Sequence, residues 1–331
     1  MKVLLPLLAV IILVLLAYLG IETANLHLLF GVIIPYLAIF IFIVGVLWRI
    51  VRWAQSPVPF RIPTTCGQQK SLPWIKSACF ENPATGIGAI GRMVLEILLF
   101  RSLFRNTQTQ LKQGPYFLHL EEKLLWLAAL IFHWSFFIVV IRHCRLFIEP
   151  VPSCISLICR LDGFMEIGSP VVFLSGVGLL AGISFLLLRR ILSPKVYYIS
   201  LPIADYFPLL LIIAIAISGI LMRYFVKVDV VSLKAYTLGL LRFQPVIPAD
   251  VNVIFYIHLF LVCILLIYFP FSKLVHMGGI FLSPTRNLAN NNRMKRHINP
   301  WNYPVKVHTY EEYEEHYRER MKQVGIPVEK D

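Results

Sequence analysis

The chain has 331 residues, 58% of them hydrophobic, and a mean hydropathy of +0.72; that apolar excess excludes an ordinary soluble globular domain. A formal net charge of +13 would point to nucleic acid in a soluble protein, but no phosphate-cradling glycine motif or RNA-binding signature accompanies it. The six cysteines (Cys66, Cys79, Cys144, Cys154, Cys159 and Cys263) contain no CxxC pair, which excludes a ferredoxin-type cluster and a zinc ribbon.

Six apolar runs, near 3–20, 27–50, 120–147, 168–190, 205–226 and 250–276, can each cross a hydrocarbon core, which takes roughly 20 helical residues. Backbone amides in lipid must be bonded within their own segment, so each run is predicted to be an α-helix. The predicted fold class is all-α: a polytopic integral membrane helical bundle of six transmembrane helices. Met1 to Leu19 lacks a small-residue cleavage site before Gly20 and reads as an uncleaved span rather than a signal peptide. Residues 51–119 form a long proline-rich loop, expected to be extended rather than a packed domain. Cys154 and Cys159, in the loop after the third run, could pair as a disulfide if that loop lies outside the cytoplasm. The tail 277–331 is polar, with Asn290–Arg296 followed by the acidic stretch Glu311–Glu315. It reads either as a solvated extension or, with the loop, as a docking surface for a cytoplasmic subunit.

Lys and Arg set the expected orientation. Residues 49–123, the short loop with Arg189, Arg190 and Lys195, and the tail from Lys273 onward together carry 23 of them, against 7 in the loops on the other side. The positive-inside rule then puts both termini in the cytoplasm, with the protein multi-pass in the cell membrane.

The histidines are the most informative feature. His133 and His143 lie in the third run, His258 and His276 in the sixth. Ionisable groups in spans are expensive and mark function, and neutral imidazole is a haem ligand. An interhelical hydrogen bond is the blander reading for any one of them; two spans with two each favour ligation. The third and sixth runs are antiparallel, so level matching pairs His133 with His276 near the inner face and His143 with His258 near the outer face. Each pair would hold one haem b through axial ligation, suited to electron transfer. Ten residues of helix rise about 15 Å and eighteen about 27 Å, so His276 is expected at the very end of its helix. Arg142, Arg145 and Lys273 are placed either to meet haem propionates or to act as ordinary interfacial anchors. His27 and His119 read as interfacial, and His297, His308 and His316 as solvated tail residues. A proton-conducting transporter would account for intramembrane histidines but should also show intramembrane acids; a non-redox membrane anchor would account for loop and tail but not for the histidines.

Two histidines ten apart on one helix and two eighteen apart on a later antiparallel helix resemble the cytochrome b γ-subunit family of respiratory nitrate reductase. The resemblance covers five spans, 27 to about 280. It implies a division into an extra N-terminal helix (1–26), a dihaem membrane domain (27–280, with the loop 51–119) and a cytoplasmic tail (281–331). The extra helix and the Ser56-Pro-Val-Pro-Phe-Arg-Ile-Pro-Thr-Thr-Cys-Gly-Gln-Gln stretch are similar to the DsrM-type (HmeC-type) membrane cytochromes of DsrMKJOP sulfate-reduction complexes. Heterodisulfide-reductase cytochrome b subunits are the nearest relatives to separate from them. The resemblance implies oxidation of menaquinol and electron transfer through two b haems to a cytoplasmic iron–sulfur subunit of heterodisulfide-reductase type, which would dock on the loop 51–119 and the tail 277–331. Further membrane and extracytoplasmic subunits are implied; nucleic acid is not. Quinol oxidation releases protons, and Asp162 and Glu166, in the outer loop before the fourth run, are the candidate acceptors, with solvated loop carboxylates as the alternative reading.

Overall fold

A computed structural model describes residues 2–56, 67–111, 117–165, 171–247, 251–283, 286–294 and 307–330. Six helices in it are long and apolar enough to cross a membrane: Leu4–Glu22, Leu29–Ala54, Lys123–Leu146, Leu174–Leu192, Pro202–Val226 and Val253–Phe271. The protein is an all-α multi-pass membrane bundle, and these are its first to sixth spans. Third, fourth, fifth and sixth spans pack in succession, the first lies against the fifth and sixth, and the second lies against the sixth.

Local chemistry explains how these helices begin, bend and meet. Pro35 has no N–H to give to Gly31 O, four residues before it. The second span answers with a π-turn over Leu29–Ile33, and the buried Tyr236 hydroxyl donates to the released Gly31 carbonyl. Gly178 and Gly182 lie one turn apart on the fourth span and face the third; a Cβ on Gly182 would sit 3.0 Å from Phe132 N and 3.1 Å from Phe132 Cα. This is the close, small-residue packing by which helices associate where no hydrophobic driving force separates lipid from protein. Ile183, Leu179, Ile212 and Ala216 fill the space between fourth and fifth spans, with Phe132 and Phe136 of the third packed against them. Ala17, Ile21, Phe30, Tyr256 and Phe260 join the first, second and sixth spans. Lys2 Nζ sits 2.7–3.1 Å from the carbonyls of Tyr197, Tyr198 and Ser200, so the chain begins beside the loop joining fourth and fifth spans.

Two expectations change. The sixth span does not run unbroken to 276. Its α-helix ends at Tyr268; the 3-10 turns Phe269–Phe271 and Lys273–Val275 follow, and His276 opens a separate helix, His276–Leu282. Pro270 cannot donate to Leu266 O, and the Ser272 hydroxyl accepts from Leu274 N at 3.1 Å, capping a new start. The loop 51–119 is also more than extended chain, for it contains the helix Gly86–Leu99. Thr85 caps that helix by accepting from Gly88 N at 3.2 Å, and Ile87, Ile90, Val94 and Leu98 give it helical apolar spacing. Thr107–Leu111 then pairs antiparallel with Phe117–Glu121. Cys154 and Cys159 are free thiols; Cys66 and His297 lie outside the described residues.

Candidate functional site: two opposed histidine pairs

The bundle brings the four intramembrane histidines together two by two. The rings of His133 and His276 have centroids 5.9 Å apart with planes at 85°; those of His143 and His258 are 6.5 Å apart and nearly parallel, at 16°. The α-helix that carries His258 stops at Tyr268, and His276 meets His133 from the start of the next helix, His276–Leu282.

Each ring is held by one nitrogen in the same sense. His133 Nδ1 lies 2.7 Å from Ala129 O, His143 Nδ1 2.7 Å from Val139 O, and His276 Nδ1 2.9 Å from Lys273 O. Carbonyls only accept, so each Nδ1 carries its proton and donates it. His258 Nδ1 lies 2.9 Å from Ser218 Oγ, which itself donates to Ile215 O at 3.0 Å, so the serine oxygen accepts from the imidazole. All four histidines are thereby set as the tautomer whose Nε2 lone pair is free, the arrangement metal-ligating histidines show. Gly219 stands beside His258, and a side chain there would bring a Cβ within 3.3 Å of His258 Cε1. Phe100 and Phe132 meet the His133 ring edge-on at 5.0 and 4.9 Å. Phe100 takes a left-handed backbone conformation (φ 48°) at the end of Gly86–Leu99, and that bend aims it at the histidine.

The donor set fits a haem. Imidazole nitrogens bind a metal at about 2 Å, which puts the centroids of two imidazoles on either side of it roughly 6 Å apart, close to the 5.9 and 6.5 Å of the two pairs. Among the described residues no group of three or more His, Cys, Asp or Glu could hold a metal ion. Two facing imidazoles, with no third such donor grouped with them among the described residues, suit a metal held in a macrocycle.

The charged residues near the pairs have specific partners. Arg142, buried, donates from Nη1 to Asp162 Oδ2 at 2.8 Å and to Ser175 Oγ at 3.0 Å, and its guanidinium lies 3.2 Å from the Phe173 ring centre. The same ring is met by Arg223 at 4.1 Å. Asp162 also accepts from Ser175 N at 2.7 Å and Ser175 Oγ at 2.5 Å, so both of its oxygens are committed. Glu166 lies outside the described residues. Arg145, half-buried, forms no ion pair with a described residue. Lys273 Nζ sits 2.9 Å from Asp205 Oδ1, which Arg190 also reaches at 2.8 Å. Ser218, Gly219, Phe100, Phe173 and Arg223 are the participants that residue-by-residue reading passed over. Ser218 left one signal, a hydroxyl inside the otherwise apolar stretch Leu209–Met222.

A helical membrane bundle with two histidine pairs between its third and last spans is the architecture of a membrane cytochrome b. The family model described as nitrate reductase gamma subunit matches residues 93–296, and the chain belongs to that family. Two curated relatives carry the name Hdr-like menaquinol oxidoreductase cytochrome b-like subunit. The one from Archaeoglobus fulgidus is 45% identical over 280 residues, 82% of this chain and 83% of its own length. The one from Archaeoglobus profundus is 40% identical over 275 residues, 81% of each chain.

Proposed function

We propose that this chain is the dihaem cytochrome b subunit of a membrane oxidoreductase complex, accepting electrons from menaquinol and delivering them to a cytoplasmic iron–sulfur subunit of heterodisulfide-reductase type, as in DsrMKJOP-type sulfite reduction. The observation that carries this reading is the shared tautomer: four histidines in two opposed pairs, each with Nδ1 occupied and Nε2 free. The names of the two relatives support the quinol and the heterodisulfide-reductase-like assembly.

Bound haem supplies reversible one-electron chemistry at each pair, and the residues do the rest. His143 and His258 hold the group at the end away from the termini, where menaquinol would be oxidised. His133 and His276 hold the second at the end that carries loop and tail. Arg145, which forms no ion pair with a described residue, is the cation we assign to a propionate there. To take a proton from quinol, Asp162 would have to release Ser175 or Arg142. We therefore assign it to fixing Arg142, the chain neighbour of His143, which leaves Glu166 as the acceptor. Loop and tail act together as the docking face. Asn290 N donates to Pro83 O at 2.7 Å, Arg286 pairs with Glu96 at 3.0 Å, and Gln69 bonds Asn292. Trp74, Phe80 and Ile87 stand exposed on that surface. Glu81 braces it: burial pushes its carboxyl up, but the hydrogen bonds and charges of Arg101 and Arg105 outweigh this and hold it below the ordinary value.

Reduced-minus-oxidised absorption spectra of the purified protein test the proposal. Two b haems per chain are expected, with His143→Ala and His258→Ala losing one and His133→Ala and His276→Ala losing the other. A protein without a b-type α-band, or a His143→Ala variant with both haems intact, would overturn it.

A further inference from the structure

A cavity of about 510 Å³ opens at the end of the bundle where the chain begins. Four spans contribute to it: Leu5 from the start of the first, Arg49 from near the end of the second, Ile203 from the start of the fifth, and Tyr268 and Phe271 from the end of the sixth, with Lys273 just beyond. All of these lie at or beside span termini, so the cavity lies where hydrocarbon gives way to headgroups. Its walls are apolar, and Leu5, Ile203 and Phe271 are each more than half exposed.

Its rim carries surplus positive charge. Arg49 and Lys273 line the cavity, Arg190 shares the carboxylate of Asp205 with Lys273, and Lys2 lies beside the loop joining fourth and fifth spans, against Ser200 O. Asp205 Oδ1 is shared by Arg190 and Lys273, and Oδ2 accepts from Leu201 N at 2.9 Å, so nothing of it remains for a third cation. Lys2 is spent on backbone carbonyls. Arg49 is left over: its guanidinium lies 5.5 Å from the Trp53 ring centre, no described carboxylate reaches it, and its Nε is buried without a hydrogen-bond partner. A buried donor at a cationic site is costly unless an acceptor arrives.

We propose that this cavity binds one anionic phospholipid, with Arg49 taking the phosphate and Leu5, Ile203 and Phe271 lining an acyl chain. The chemistry selects this occupant. A free phosphate would use Arg49 but not the apolar walls. A neutral quinone would use the walls but not the excess charge. Basic pockets between spans that combine both features suit lipid phosphates. The site also touches the haem region proposed above, because Ser272 and Lys273 form its wall and Lys273 O holds His276 Nδ1. The lipid reading nevertheless stands on the cavity and Arg49 alone.

Native mass spectrometry of the full-length, haem-loaded protein, exchanged into phosphatidylglycerol or phosphatidylcholine, tests it. One phosphatidylglycerol per chain is expected, retained about tenfold over phosphatidylcholine, whose choline cation offsets the phosphate charge that Arg49 meets. Arg49→Gln should erase the preference and Arg49→Lys keep most of it, while Arg242→Gln, at the opposite end, should change nothing. If Arg49→Gln cannot be purified, Leu5→Trp, which fills the cavity, should expel the lipid. Equal retention of both lipids, an unchanged preference in Arg49→Gln, retention by Leu5→Trp, or displacement by inorganic phosphate or menaquinone would each overturn the proposal.

Discussion

The close approach of third and fourth spans at Gly182 gives a prediction whose size can be worked from the structure. A methyl at Gly182 would lie 3.0 Å from Phe132 N and 3.1 Å from both Phe132 Cα and Cβ, where ordinary contact begins at 3.4 Å. The obstructing atoms belong mainly to the backbone of the third span, so no rotamer change relieves them. Third and fourth spans must separate by roughly 0.4 Å along most of their contact. Overpacking of this kind costs about 1–3 kcal/mol, a roughly 5- to 150-fold change in the folded-to-unfolded ratio. The separation also moves Phe132, whose ring lies against His133. Gly178→Ala is the internal control: its methyl would come closer still, 2.5 Å, but to Ser135 Oγ, the end of a short side chain that can turn away. Thermal unfolding in detergent, followed by absorbance and circular dichroism, should therefore rank the wild type above Gly178→Ala and Gly178→Ala above Gly182→Ala. A Gly182→Ala protein as stable as the wild type, or less damaged than Gly178→Ala, would refute the claim that backbone approach governs this interface.

Two further outcomes follow from single hydrogen bonds. Ser218→Ala should retain haem but raise the midpoint potential at the His143–His258 pair, because His258 loses the acceptor that makes its imidazole a stronger donor; a redox titration in which neither potential moves would sink this. In the tail, the Glu314 carboxylate accepts from the amides of Glu329 at 2.8 Å and Lys330 at 2.9 Å, which holds its pKa below the ordinary 4.5. A depressed carboxylate stabilises the fold fully above its unfolded value and loses that contribution as pH falls through the folded value. Hydrogen exchange should therefore show those two amides protected at neutral pH and released on acidification below about 4.5, with Glu314→Gln abolishing the protected state at pH 7; equal protection in wild type and variant would contradict it.

The parts of this structure legible in the sequence are those that repeat a single physical rule along many residues. Six spans are readable because every residue of a run must be tolerable to lipid, and the observed spans depart from the expected ones mostly by a few residues at their ends. Which histidine faces which follows from helix direction, since three reversals make third and sixth spans antiparallel. The helix Gly86–Leu99 is harder to see. Its apolar stripe is short, and the prolines before it dominate any reading of the segment, although the Thr85 cap is written in plain view. Partners contributed by distant segments are not readable at all. Nothing local to Arg142 announces Asp162 and Ser175, 20 and 33 residues on, and nothing local to His258 announces Ser218, 40 residues earlier.

His276 shows why the remaining difficulty was physical rather than a matter of pattern. Eighteen residues of continuous helix from His258 rise about 27 Å, against about 15 Å for the ten residues between His133 and His143. If both pairs lie at matched levels, one helix must end early, and Pro270 is the residue able to end it. In lipid a proline usually kinks a span without stopping it, because neighbours re-satisfy the freed carbonyl. Here Ser272 decides the matter: its hydroxyl accepts from Leu274 N and starts a new turn two residues after the proline. Proline alone predicts a bend; proline followed by a capping serine predicts termination and restart. The restart puts His276 at the first position of its helix, where its Nδ1 reaches Lys273 O across the 3-10 turn rather than a carbonyl four residues back, as His133 and His143 do. The α-helix that carries His258 thus stops at Tyr268, and the two 3-10 turns between Phe269 and Val275 connect it to the helix that His276 opens.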